Sequence, residues 1–138
     1  MQAQVIETVA ASAEAVFAHL GNFRGVTAGG PITSVDYEGD GVGMLRSIHT
    51  ANGTVKERLD VHEPQALTYT YSIVNDDSPL PVLGYSATVL IKVLESDSCQ
   101  VVWTGTCSPR DAEESKVVHI LQGIYKNAIR GARIALTE

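Results

Sequence analysis

The chain has 138 residues, enough for one domain that buries about two thirds of its unfolded surface without disulfide or metal staples. Ten basic residues stand against sixteen acidic ones, a formal net charge of -6, and no run of Lys or Arg offsets it; this argues against nucleic acid and anionic membrane surfaces as partners. The opening Met1-Gln-Ala-Gln-Val-Ile-Glu7 lacks a basic segment and a long apolar core, and no apolar run reaches membrane-spanning length, so the expectation is a soluble, cytoplasmic protein with no membrane insertion.

Gln2 to Thr8 reads as a first strand. Ser12 then caps a short helix with Glu14 in its first turn and Val16, Phe17 and Leu20 on one apolar side. Gly21 to Pro31 is too rich in glycine for a regular helix and reads as a loop or broken turn before a strand at Ile32 to Tyr37. Gly39-Asp-Gly-Val-Gly43 precedes a strand and lacks the following Lys of a phosphate loop, so it is a connecting turn.

The next two strands carry the most informative pattern. Alternation puts Glu57 on the face of Val55, Leu59 and Val61, and Arg46 between Met44 and Ile48, with Asn52-Gly53 as the turn signal between the runs. With Asn52 and Gly53 as the two turn residues, Ile48 faces Glu57, Leu59 faces Arg46, and Arg46 and Glu57 lie diagonally across the hairpin, a distance long side chains can span. Two opposite charges on an apolar face imply a buried ion pair or a cavity holding water and a ligand, because burying either charge alone costs several kcal/mol. His49 and His62 fall on the opposite face in this register, towards solvent.

Ala66 to Val74 alternates cleanly, with Leu67, Tyr69, Tyr71 and Ile73 on one face. After Pro79-Leu-Pro81, Tyr85 to Leu94 and Cys99 to Cys107 form another hairpin, with Trp103 sharing a face with Val101 and both cysteines. Extended geometry separates Cys99 and Cys107 by about 26 Å, beyond disulfide reach. From Asp111 the period becomes helical: Val117, Leu121, Ile124 and Ala128 make a stripe, widened by Val118, Tyr125, Ile129, Ala132 and Leu136. The order is therefore strand, short helical region, about six consecutive strands and one long helix, an α+β domain spanning residues 1–138 whose antiparallel sheet curls around the terminal helix.

Taken together, Ser12-Ala-Glu-Ala-Val-Phe17, Gly41-Val-Gly43 before Arg46, Glu57-Arg-Leu59, Tyr71-Ser-Ile73, Leu80-Pro81 before Tyr85, Trp103 and Gly123-Ile-Tyr125 resemble the START-like, Bet v 1-like superfamily, which includes polyketide cyclases, lipid-transfer proteins and plant abscisic acid receptors. The resemblance covers nearly the whole chain. It implies a helix-grip fold: a curved antiparallel sheet of about six or seven strands around a long C-terminal helix, with short helices after the first strand and an elongated apolar cavity between sheet and helix. It also implies that Glu57 and Tyr85 project into that cavity. Thr50-Ala-Asn-Gly53 stands where the receptors carry their Ser-Gly-Leu-Pro gate, so hormone gating is not implied.

The expected ligand-binding residues are Arg46 and Glu57 as polar anchor, Tyr71, Tyr85 and Trp103 as wall, and Leu121 and Tyr125 from the helix. The plain alternatives are a structural ion pair and ordinary aromatic core. The partner would be a small apolar molecule such as a lipid, polyketide or aromatic compound, and a homodimer stays open. His19, His49, His62 and His119 show no zinc-like spacing, and neither a metal nor another cofactor is expected. No catalytic residue is assigned. Three functions compete: a carrier or sensor of a hydrophobic ligand, a polyketide cyclase or aromatase-like enzyme using the same cavity, and an interaction module that binds through its surface.

Overall fold

Strand β1 (Gln2–Val9) leads through Ser12 into helix α1 (Ala13–Leu20), and the Ser12 hydroxyl accepts a hydrogen bond from the Ala15 amide at 3.2 Å, as its capping role requires. The computed structural model describes residues 1–137. Six strands follow: β2 (Ile32–Glu38), β3 (Leu45–Thr50), β4 (Gly53–Glu63), β5 (Thr68–Ile73), β6 (Val82–Glu95) and β7 (Ser98–Pro109). Helix α2 (Glu114–Thr137) closes the chain. The strands form one antiparallel sheet in the order β1-β7-β6-β5-β4-β3-β2, so a six-strand meander is completed by β1 on the far side of β7. This is the helix-grip architecture expected from the sequence, with a single short helix after β1 and irregular chain between residues 21 and 31.

Helix α2 packs mainly on β1, β7 and α1. Its buried line is Val117, Leu121, Tyr125, Ile129 and Ala132. Ile124, expected in that stripe, is 40% exposed instead, because it lies roughly 80° round the helix from the centre of the buried line. The helix also starts later than Asp111, whose φ of +53° is left-handed and incompatible with a helical first turn.

Three departures from simple alternation shape the inner face. The β3–β4 turn closes on Ala51 and Asn52, not on Asn52 and Gly53: Thr50 pairs with Gly53, whose φ of +137° suits glycine alone, and the Thr50 hydroxyl bridges the turn to the Asn52 amide and Gly53 carbonyl. The register therefore differs by two residues from the expected one, and Arg46 faces Glu57 directly. A bulge between Leu59 and Val61 then reverses the facing of the rest of β4. Val61, expected inside, turns outward, while His62, expected outside, turns inward against Phe17 with ring centroids 5.4 Å apart. A further irregularity between Leu83 and Ser86 lets Val82 and Tyr85 both point inward despite their odd spacing. His49 stays on the outer face, half-buried between Asp36 at 2.7 Å and the Thr54 hydroxyl at 2.9 Å.

Candidate functional site

The Arg46–Glu57 couple sits at one cross-strand position of the β3–β4 hairpin. Arg46 Nε donates to Glu57 Oε1 at 2.7 Å, and the two side chains are 12% and 10% exposed. Arg46 also donates from Nη1 to the Phe23 carbonyl at 3.3 Å, and its guanidinium carbon lies 3.9 Å from the centre of the Phe23 ring and 5.8 Å from that of Tyr71. Burial acts to lower the Arg46 pKa, but the Glu57 charge and hydrogen bond outweigh it and hold the pKa above its ordinary value. Arg46 is thus a fixed cation. The hydrogen bonds of Glu57 engage Oε1, and Oε2 has no side-chain partner among the described residues.

Behind this couple the aromatic residues of β5, β6, β7 and α2 converge. The Tyr71 and Tyr85 hydroxyls are 3.1 Å apart, those of Tyr85 and Tyr125 2.6 Å, and Trp103 Nε1 donates to the Tyr71 hydroxyl at 3.3 Å. Trp103 stacks on Tyr125 with centroids 5.0 Å apart and meets Tyr71 edge-on at 6.4 Å. Among the described residues no fully buried side-chain polar atom lacks a partner, so the cluster is internally satisfied. Desolvation pushes the tyrosine pKa values up, that of Tyr125 to about 12 and those of Tyr69, Tyr71 and Tyr85 further, which keeps the phenols neutral. Leu121 is buried on the same face of α2, one turn before Tyr125.

Small residues make the room for this cluster. Ala3, Gly105 and Ala87 lie side by side across β1, β7 and β6, and a Cβ built on Gly105 would come within 1.9 Å of the Tyr125 hydroxyl and 3.2 Å of the Tyr85 ring. Gly105→Ala is therefore expected to destabilise the protein by about 1–3 kcal/mol through overpacking. Removing the obstructing oxygen with Tyr125→Phe in the same chain should recover part of that loss, and urea denaturation of the two single variants and the double variant would measure the coupling.

The resemblance implied an elongated cavity between sheet and C-terminal helix, but the Tyr71, Tyr85, Trp103, Leu121 and Tyr125 side chains pack together there, and the open space lies beside this cluster. A cleft of about 520 Å³ runs between the end of α1, the α1–β2 segment, the β2–β3 turn and β4. Phe17, Phe23, Met44, Leu59 and His62 supply much of its wall, with Arg24 and Asp40 at an exposed rim, paired at 3.1 Å. Met44 and Leu59 are bonded across the hairpin by the Leu59 amide and Met44 carbonyl, and one pleat repeat along the same face, about 7 Å, brings the chain to Arg46 and Glu57. None of the seven residues singled out from sequence is among the cleft's lining; six of them form the ion pair and the adjoining aromatic cluster, with Leu121 packed alongside.

The cleft residues escaped the sequence reading for identifiable reasons. Phe23 lies in a glycine-rich stretch without periodicity, and His62 faces inward only because of the bulge. Met44 and Leu59 did carry a signal, since they flank the two charges on the same face.

A family described as polyketide cyclase/dehydrase and lipid transport matches residues 2–134. Among solved structures, an uncharacterized protein from Bacillus thuringiensis is 28% identical over the whole of both chains, with a TM-score of 0.85. The protein XoxI from Bacillus cereus is likewise 28% identical, over 99% of this chain and 96% of its own, with a TM-score of 0.85. Norcoclaurine synthase from Thalictrum flavum, solved in complex with dopamine and hydroxybenzaldehyde, shares the fold at 17% identity, with a TM-score of 0.73 over 96% of this chain and 83% of its own. No functionally curated protein matches the sequence. The seven-stranded sheet gripping a C-terminal helix and the match along almost the full length lead to one assignment: the chain belongs to the polyketide cyclase/dehydrase and lipid transport family.

Proposed function

We propose that the chain is a carrier or sensor that binds a small, largely apolar molecule through the cleft under the α1–β2 segment, with Arg46 and Glu57 as its polar anchor and the Tyr71, Tyr85, Trp103 and Tyr125 cluster, backed by Leu121, as the inner wall. The observation that carries this reading is the position of the ion pair, one pleat repeat along the same sheet face from the Met44–Leu59 floor, with both side chains still partly exposed. An ion pair serving stability alone gains nothing from adjoining an apolar cleft, whereas a binding site needs a few oriented polar groups in such a wall. The free, buried Cys99 and Cys107 suit a reducing compartment, in keeping with a cytoplasmic carrier.

The test is to purify the protein and identify retained small molecules by native mass spectrometry, in parallel with Ala18→Trp. Ala18 is exposed on α1 and lines the cleft, so an indole there fills the space without replacing a buried side chain. The unaltered chain should carry an apolar compound, or take one up when offered, and the variant should not. Equal occupancy of both would refute the cleft as the site.

A second reading, a cyclase-like enzyme, draws support from the neutral phenol of Tyr71, which feels the Glu57 carboxylate and is hydrogen-bonded to Tyr85, a pairing of proton donor and acceptor. Under that reading Glu57→Gln lowers turnover of a poly-β-keto substrate while leaving its binding intact. Under the carrier reading no turnover exists, and the same change alters affinity only.

A further inference from the structure

Arg46 is covered from the cleft side by a residue of the chain itself. The Phe23 ring, only 4% exposed, lies flat enough over the guanidinium to bring its centroid to 3.9 Å, and its own carbonyl accepts from Nη1. Phe23 also lines the cleft, so it stands between the open space and the ion pair.

We infer that the Phe23 ring is a stand-in for the ligand: the preferred ligand is a flat, neutral phenol-class aromatic that displaces Phe23, stacks on Arg46 and donates its hydroxyl to Glu57. The inference deepens the carrier reading and rests on it.

Three features of the site select this chemistry. A guanidinium removed from water is stabilised by an aromatic face and not by an alkyl chain, so an aliphatic ligand displacing Phe23 would forfeit an interaction that a ring restores. Glu57 Oε2 has no side-chain partner among the described residues and is an acceptor only, so it is matched by a hydroxyl donor. The Arg46 charge is already balanced by Glu57, and a ligand carboxylate would face that anion at close range, which disfavours fatty acids. Displacement is also cheap in polar contacts. The segment around Phe23 is held by a turn from the Asn22 carbonyl to the Gly25 amide, by Arg24 to the Gly39 carbonyl and Asp40, and by the Tyr37 hydroxyl to the Val26 carbonyl at 2.6 Å. The Arg24–Asp40 pair is 47% and 92% exposed and contributes little.

The experiment compares 2-naphthol with 1-decanol, which has the same carbon count and also a hydroxyl head, on the unaltered protein and on Phe23→Ala. Removing the resident ring should tighten 2-naphthol by about tenfold, equivalent to about 1.4 kcal/mol, and leave 1-decanol much less improved. Equal gains for both probes would overturn the aromatic seat while leaving an apolar cleft intact; failure of both protein forms to bind either of the two probes would overturn the carrier reading as well. A measurement on the unaltered chain guards against misfolding of the variant. Proton contacts between the Phe23 ring and the Arg46 side chain, seen by nuclear Overhauser spectroscopy, should disappear at saturating 2-naphthol, and their persistence would sink the proposal.

Discussion

Glu57→Ala is expected to destabilise the protein by about 3–5 kcal/mol, because it leaves the Arg46 guanidinium largely buried with no counter-charge. Phe23 offers that cation a carbonyl at 3.3 Å, and Phe23 and Tyr71 their aromatic faces, but none of these carries the charge of the carboxylate at 2.7 Å. Glu57→Gln keeps an oxygen for Arg46 Nε and should cost less. The informative comparison is the double variant Arg46→Met, Glu57→Leu, which removes both charges and both desolvation penalties and should recover most of the stability lost in Glu57→Ala. Guanidinium denaturation of the unaltered chain and the three variants gives the result. A loss below about 1 kcal/mol in Glu57→Ala would mean that water reaches the guanidinium through the cleft and solvates it as an exposed residue.

Raising the pH from about 10 to about 12 is expected to unfold the protein. The unfolded tyrosines ionise near 10, whereas burial raises the folded Tyr125 to about 12 and Tyr69, Tyr71 and Tyr85 beyond it. A raised folded pKa means that the folded state keeps its proton after the unfolded state has released one. The stability of such a group is complete below the unfolded pKa and drains away as pH climbs towards the folded value. For Tyr125 alone that amounts to about 3 kcal/mol across this window. With three further buried phenols drawing in the same direction, the total is comparable to the 5–15 kcal/mol that holds a typical domain together. Circular dichroism and tyrosinate absorbance followed together should show one cooperative transition, in which ionisation of the buried phenols coincides with loss of the fold. Gradual tyrosinate formation in a protein still folded would show that water reaches the cluster.

Local patterning along the chain set the class of fold and the polarity of most strand faces. Alternation in β4, β5 and β7 assigned Glu57, Tyr71 and Trp103 to the inner face, the Ser12 cap located α1, and the change of period after Asp111 announced α2. These signals are local, set by side chains two to four residues apart, and hold wherever no bulge interrupts the alternation. It also marked Arg46 and Glu57 as partners, because opposite charges on an apolar face must meet something.

Tertiary structure decided the register and therefore the neighbours. Moving the β3–β4 turn onto Ala51-Asn52 turned a diagonal pair into a direct one, and the bulge after Leu59 exchanged the fates of Val61 and His62. Neither event leaves a periodic trace, since a bulge inserts one residue whose cost is met by packing elsewhere in the sheet. Phe23 is the extreme case: nothing in its glycine-rich surroundings points inward, and only the approach of α1, the β2–β3 turn and the charged hairpin brings its ring over Arg46. Patterns along the chain thus announced that a charged couple needs cover, while the identity of that cover depended on contacts between residues more than twenty positions apart.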